Sequence, residues 1–100
     1  MILVREVFQL EFGKAKEAVA LWQEGIRILQ KAGYSYNPRL LTDVTGPSYL
    51  LVLESTFPGL AEYEKQLKEG LTDPQWRERY PKVVPLVESS RREIFTVVEQ

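Results

Sequence analysis

The sequence contains no cysteine and no histidine. The first absence removes disulfides, thiolate metal sites and cysteine nucleophiles, and the second removes Ser-His-Asp arrangements, imidazole-ligated zinc and haem held by a proximal imidazole. Neither sign of charge predominates. Thirteen Lys and Arg stand against fourteen Asp and Glu, and no segment collects one sign, so neither nucleic acid nor an anionic membrane is an expected partner. No apolar run approaches the roughly 18 residues of a membrane span. The N-terminal Met1-Ile2-Leu3-Val4-Arg5-Glu6 lacks the basic region and the apolar length of a signal peptide, so a soluble cytoplasmic protein is expected. The six glycines are scattered, and none follows a strand in the pattern of a phosphate-binding loop. Metal ions and cofactors are not expected.

What is present is ordinary for a folded domain, with 44% hydrophobic and 27% charged residues in a chain of 100. One domain over residues 1–100 is expected, and at this size folding buries only about 65% of the surface of the unfolded chain. The core should therefore be thin.

Residues 1–10 are rich in β-branched and aromatic side chains and apolar at both parities, which predicts a central strand. Ala15, Ala18, Val19, Trp22, Ile26 and Leu29 recur at helical spacing, and Lys31 and Gly33 end the run, which predicts a helix over 14–32. After the loop Tyr34-Ser35-Tyr36-Asn37-Pro38, the stretches Arg39–Thr45 and Ser48–Ser55 read as a hairpin around Gly46-Pro47. Pro58 suits a first helical position, Leu60, Tyr63, Leu67 and Leu71 follow at helical spacing, and that helix should end near Gly70. Thr72-Asp73-Pro74-Gln75 is a second helix start, with a capping box expected from Thr72. A short helix with Trp76 and Tyr80 should then be interrupted by Pro81 and Pro85, leaving Val83–Val87 as irregular turns before a final strand at Glu93–Glu99.

The order β-α-β-β-α-β is that of an α+β ferredoxin-like fold, a four-stranded antiparallel sheet with both helices on one face. The other face has no helix to cover it. Tyr49, Leu51 and Leu53 nevertheless alternate with apolar Leu50 and Val52, and Phe95 and Val97 with Ile94 and Val98. Such a two-sided apolar sheet needs a second cover, and a two-fold homodimer needs only one self-complementary surface. Leu51 and Leu53 are the expected interface positions.

Three segments carry a family resemblance: Arg5-Glu6-Val7-Phe8-Gln9-Leu10, Leu53-Glu54-Ser55-Thr56-Phe57, and Asp73-Pro74-Gln75-Trp76 followed by Pro85-Leu86-Val87. In this order and spacing the chain resembles the dimeric α/β-barrel superfamily, and within it the NIPSNAP-like proteins. The resemblance implies two ferredoxin-like sheets paired face to face. It also implies kinship with cofactor-independent monooxygenases, small isomerases, haem-degrading enzymes, stress-induced barrels and ligand-sensing domains, a range in which fold does not fix function. The haem-handling branch depends on a histidine that this chain lacks.

Arg5 and Glu6 must lie on opposite faces of the first strand. Arg5, with Gln9 on the same face, could hold an anionic or carbonyl-bearing ligand, or form a structural ion pair. Glu54 closes the third strand and could act as a general base if its pKa were raised, although solvent at a strand end would make it at most an accessory residue. Trp22, Tyr63, Trp76 and Tyr80 could line an aromatic pocket or simply pack, and Trp76, on the proline-bounded segment 72–85, is the expected movable rim of a cavity. Tyr49 is a further ligand-binding candidate, and Tyr34, Tyr36 and Asn37 could equally be rim residues or simple turn formers. The leading reading is a homodimer that binds a small apolar or aromatic molecule between sheet and helices. A cofactor-independent oxygenase or isomerase acting on an activated carbon acid is the second reading, and a structural or regulatory dimer without a ligand is the third.

Overall fold

The computed structural model describes residues 1–33 and 36–99, so Tyr34 and Ser35 lie outside the described residues. Eight elements follow in order. They are β1 (Ile2–Leu10), α1 (Ala15–Lys31), β2 (Arg39–Thr42), β3 (Leu50–Phe57), α2 (Leu60–Thr72), α3 (Pro74–Val83), a 3-10 turn (Val84–Leu86) and β4 (Val87–Thr96). The strands form one antiparallel sheet in the order β2-β3-β1-β4. This is the α+β ferredoxin-like arrangement.

The even-numbered side chains of β1 point at the helices. Phe8 meets Trp22 of α1 with ring centroids 5.2 Å apart, and Val4 packs with Phe57 and Tyr63 of α2 in one buried cluster. A second cluster joins Leu10, Ala18, Leu51 and Leu86. Three of these side chains, Leu10, Leu51 and Phe57, lose essentially all contact with water, each contributing on the order of 1.5–3 kcal/mol.

Leu51 pairs across the sheet with Phe8, and Leu53 with Glu6, which puts both on the helix face. The expectation that they face a second copy is corrected. Leu50, Val52 and Glu54 occupy the open face instead, because alternation along β3 assigns one parity to each side.

Four element boundaries also differ from the sequence reading. The final strand covers Val87–Thr96 and pairs with β1 along its whole length, with a register shift at Gln9/Leu10. It is an edge strand, so Glu88-Ser89-Ser90-Arg91-Arg92-Glu93 can stay polar at both parities and show no apolar periodicity. Helix α3 runs through Pro81 to Val83, because the missing proline N–H costs one ladder bond near the last turn and not the whole helix. The N-cap is Asp73, whose Oδ1 accepts from the N–H of Gln75 at 2.8 Å and of Trp76 at 3.2 Å, whereas the Thr72 hydroxyl donates to the carbonyl of Glu69. Between β2 and β3 the loop is wider than a Gly46-Pro47 turn. Asp43 accepts from the N–H groups of Ser48 and Leu50 while Ser48 and Tyr49 adopt left-handed backbone conformations, an arrangement that an Asp side chain can bridge by mimicking a turn.

Candidate functional site: the open face of the sheet

The strand registers set one charged row across the whole open face. Arg39 of β2 stands opposite Glu54 of β3, Glu54 opposite Arg5 of β1, and Arg5 opposite Glu93 of β4. The signs alternate. Glu54 Oε1 accepts from Arg39 Nη2 at 2.6 Å, Glu54 Oε2 from Arg5 Nε at 3.0 Å and Nη2 at 2.9 Å, and Glu93 lies 3.8 Å from Arg5 Nη1. Phe95 completes the surroundings, with the Arg5 guanidinium 5.5 Å from its ring centroid.

Glu54 is the buried member, with its side chain 9% exposed. The Arg39 hydrogen bond holds its carboxyl below the usual carboxylate range, against the opposing effect of burial, and Arg5 adds to the lowering. A carboxylate so held is a weak base at neutral pH. The sequence reading placed Glu54 at a solvated strand end. The structure places it inside a paired row, where two guanidinium groups and not water keep it ionised.

On the same face, toward the other end of the strands, a recess of about 250 Å³ is lined by Val7, Gln9, Pro47, Leu50, Ser89, Ser90 and Arg91. Its floor comes from rows one and two steps beyond the charged one, Val7–Arg91 and Leu50–Gln9–Ser89. Gln9 Nε2 donates to the carbonyl of Ser48 at 2.7 Å and toward that of Tyr49 at 3.4 Å, so the β2–β3 loop is tied to β1 beside the recess. Gln9 therefore belongs to a cavity on the face that Arg5 shares. Arg5 itself is committed to the two carboxylates.

One gap between sheet and helices is much smaller than the recess. A gap of about 30 Å³ lies among Trp22, Ile26, Leu29, Tyr36, Pro38, Leu53, Ser55 and Gln66, which suffices for about one water. Trp22 Nε1 and Gln66 Oε1 are buried there with no hydrogen-bond partner among the described residues.

Tyr49 lies in the turn before β3, its carbonyl accepting from Leu10 N–H at 2.8 Å and its ring 4.9 Å from that of Phe12. Trp76 packs between helices, 5.2 Å from Trp22 and 6.3 Å from Tyr80 by ring centroid, over Gly25 of α1. Neither Tyr49 nor Trp76 lines the two spaces described above. Tyr36 stacks on Phe57 at 4.4 Å, and Asn37 Nδ2 donates to Thr56 Oγ1 at 3.3 Å. On the helix face Glu6 accepts from Arg92 at 2.8 Å and from the Tyr63 hydroxyl at 3.3 Å. Burial, then the charge of Glu6, pushes the Tyr63 phenol up to about 12.

Sequence reasoning missed Arg39, Glu93 and Arg91. The only signal available was their strand parity, which becomes informative once the registers are known. No group of three or more acidic side chains among the described residues is placed to hold a metal ion, and none of their helices is long and apolar enough to cross a membrane.

Residues 5–100 match the family model described as NIPSNAP. The chain belongs to the NIPSNAP family. Solved structures agree in fold across nearly its whole length. An uncharacterized NIPSNAP domain protein from Burkholderia xenovorans is 20% identical, with 98% of this chain and 95% of that one covered and a TM-score of 0.83. A NIPSNAP family protein from Agrobacterium tumefaciens is 18% identical, with coverages of 98% and 93% and a TM-score of 0.88. The same fold extends to a cofactor-independent oxygenase from Streptomyces nogalater, which is 12% identical, with coverages of 99% and 94% and a TM-score of 0.74. None of the curated proteins matches this NIPSNAP chain significantly.

Proposed function

We propose that this NIPSNAP protein is a homodimer in which a second copy covers the open sheet face, and that it binds a small molecule in the recess between Gln9 and Arg91. The observation that carries the dimer is the row Arg39–Glu54–Arg5–Glu93. Rotated about a two-fold axis running along the strands, it sets Arg39 against Glu93 and Glu54 against Arg5 of the other copy. Every facing pair is then opposite in sign. An axis along the row would set like charges together, so the row both favours self-association and selects its direction.

Leu3, Leu41, Leu50, Val52 and Phe95 share this face by register and supply its apolar area. β1, β3 and β4 are about 27–34 Å long and β2 about 14 Å, which at a spacing of about 4.8 Å gives a face of roughly 500 Å² per copy, or about 1,000 Å² in a pair, at the threshold for a specific interface. The lateral ion pairing also lets the four charges of the row be covered together.

A second copy would roof the recess, which is roomy, apolar at its floor and polar on one wall. Those are the features of a ligand site. The sequence reading put the ligand between sheet and helices, where the gap is water-sized. Proton abstraction by Glu54 gains no support from its lowered pKa, and a 12% identity to an oxygenase speaks for the fold alone.

Sedimentation velocity at micromolar concentration tests the dimer. Wild type should sediment as a dimer, Leu41→Asp and Val52→Asp as monomers, and Leu60→Asp, on the helix side, as a dimer. A wild-type monomer would overturn the proposal.

A further inference from the structure

Charge is not balanced along the strands of the open face. The strands place three arginines there, Arg5, Arg39 and Arg91, against two carboxylates, Glu54 and Glu93. Both carboxylates are engaged in the transverse row, and Arg91 reaches only Glu93, at 3.5 Å through its Nε. Its terminal nitrogens make no hydrogen bond among the described residues, and its side chain is 64% exposed. It stands at the wall of the recess.

Another polar group at this wall suits the same kind of ligand. Ser89, opposite Gln9 in the β1–β4 register, brings a hydroxyl that can donate. Gln9 has its Nε2 engaged by the β2–β3 loop, so it braces the recess and takes no part in holding an anion. Val7, Leu50 and Pro47 provide an apolar bed. A guanidinium with two free terminal nitrogens fits a carboxylate in a two-pronged geometry that an ammonium cannot match.

We infer that the recess is a site for a small carboxylate with an apolar body, its carboxyl group held by Arg91 with Ser89 and its body lying on Val7, Leu50 and Pro47. The assignment rests on the reading of the recess as the ligand site. It gives the anion-holding role to Arg91 in place of Arg5, and a carboxylate there neutralises the one guanidinium that the row leaves over.

Benzoate is the probe, with benzamide and benzyl alcohol as neutral molecules of similar shape, each titrated at millimolar concentration by calorimetry and by the shift of an amide spectrum. Benzoate should bind, with perturbed amides confined to residues 7–9, 48–50 and 89–91. Benzamide and benzyl alcohol should bind at least about tenfold more weakly, the loss of one charge-assisted pair. Arg91→Gln, at an exposed position that folding does not need, should lower benzoate affinity by a similar factor, and Arg91→Lys should recover only part of it. Arg27→Gln, which removes a cation on α1, should bind benzoate like wild type. Equal binding of benzoate and benzamide at the same amides would overturn the carboxylate assignment and leave the recess as a ligand site. Binding of none of the three would overturn both.

Discussion

Arg5 and Glu54 face each other in the β1–β3 register and are joined by two guanidinium nitrogens, Nε at 3.0 Å and Nη2 at 2.9 Å from one carboxylate oxygen. The other oxygen belongs to Arg39. A buried carboxylate with both oxygens occupied is costly to leave alone. Arg5→Ala should destabilise the protein by about 1–3 kcal/mol, the cost of leaving a buried charged acceptor partly unsatisfied. Arg39→Ala should cost less, because its side chain is 70% exposed and exposed pairs contribute at most about 1 kcal/mol. Urea denaturation of both variants measures the difference, and equal effects would mean that the row is not organised around Arg5.

The same carboxylate sets a dependence on pH. Glu54 is lowered in the folded state by Arg39 and then Arg5, and Asp43 by the backbone N–H of Leu50 and then of Ser48, each against the opposing effect of burial. In the acid range the unfolded chain therefore binds more protons than the folded one, so stability rises with pH there. The contribution is complete above the ordinary carboxylate range of about 4 to 4.5 and is lost as pH falls through the lowered folded values. Midpoints of urea unfolding between pH 7 and pH 3 should fall in the acid part of that range, and the fall should be shallower in Glu54→Gln.

Tyr63 gives the opposite sign at high pH. Its phenol is raised to about 12 by burial and then by Glu6, so the folded chain keeps a proton that the unfolded chain gives up near pH 10. The stabilisation is present below pH 10 and is lost as pH rises toward 12. Absorbance near 295 nm should show one tyrosine titrating after the others, and Tyr63→Phe should remove that late step. A late step that survives in Tyr63→Phe would contradict the assignment.

Gly25 is the close approach between α1 and α3. A Cβ there would stand 3.2 Å from Cζ3 of Trp76, whose backbone N–H is fixed by the Asp73 cap. Gly25→Leu should destabilise by about 1–3 kcal/mol through overpacking and shift tryptophan fluorescence to the red as Trp76 is pushed toward water. An unchanged spectrum with unchanged stability would mean that α3 can slide away freely.

The parts of the fold legible in the sequence were those with a periodic apolar signal. Trp22, Ile26 and Leu29 announced α1 within a residue at each end, and β1 and β3 read as strands. Their facing did not, because Leu50, Leu51, Val52 and Leu53 are apolar at both parities, and such a strand has no phase until its neighbours are known. The polar stretch of β4 was lost for the converse reason. An edge strand needs no apolar alternation, and with it went Arg91, whose meaning lies in its register with Val7. Trp76 looked like a rim residue because prolines follow it, but the residue that fixes its place is Gly25, about fifty positions earlier.

Cross-linking tests the direction and the existence of the dimer together, and a chain without native cysteine suits it. Arg39 and Glu93 of one copy lie three strands apart, about 14 Å, whereas a two-fold axis along the strands sets Arg39 of one copy against Glu93 of the other. Arg39→Cys and Glu93→Cys chains, mixed and treated with a short bis-maleimide linker, should give a cross-linked dimer joining one chain of each kind, and neither variant alone should cross-link. Cross-linking of Arg39→Cys with itself, or of no combination at all, would contradict the account.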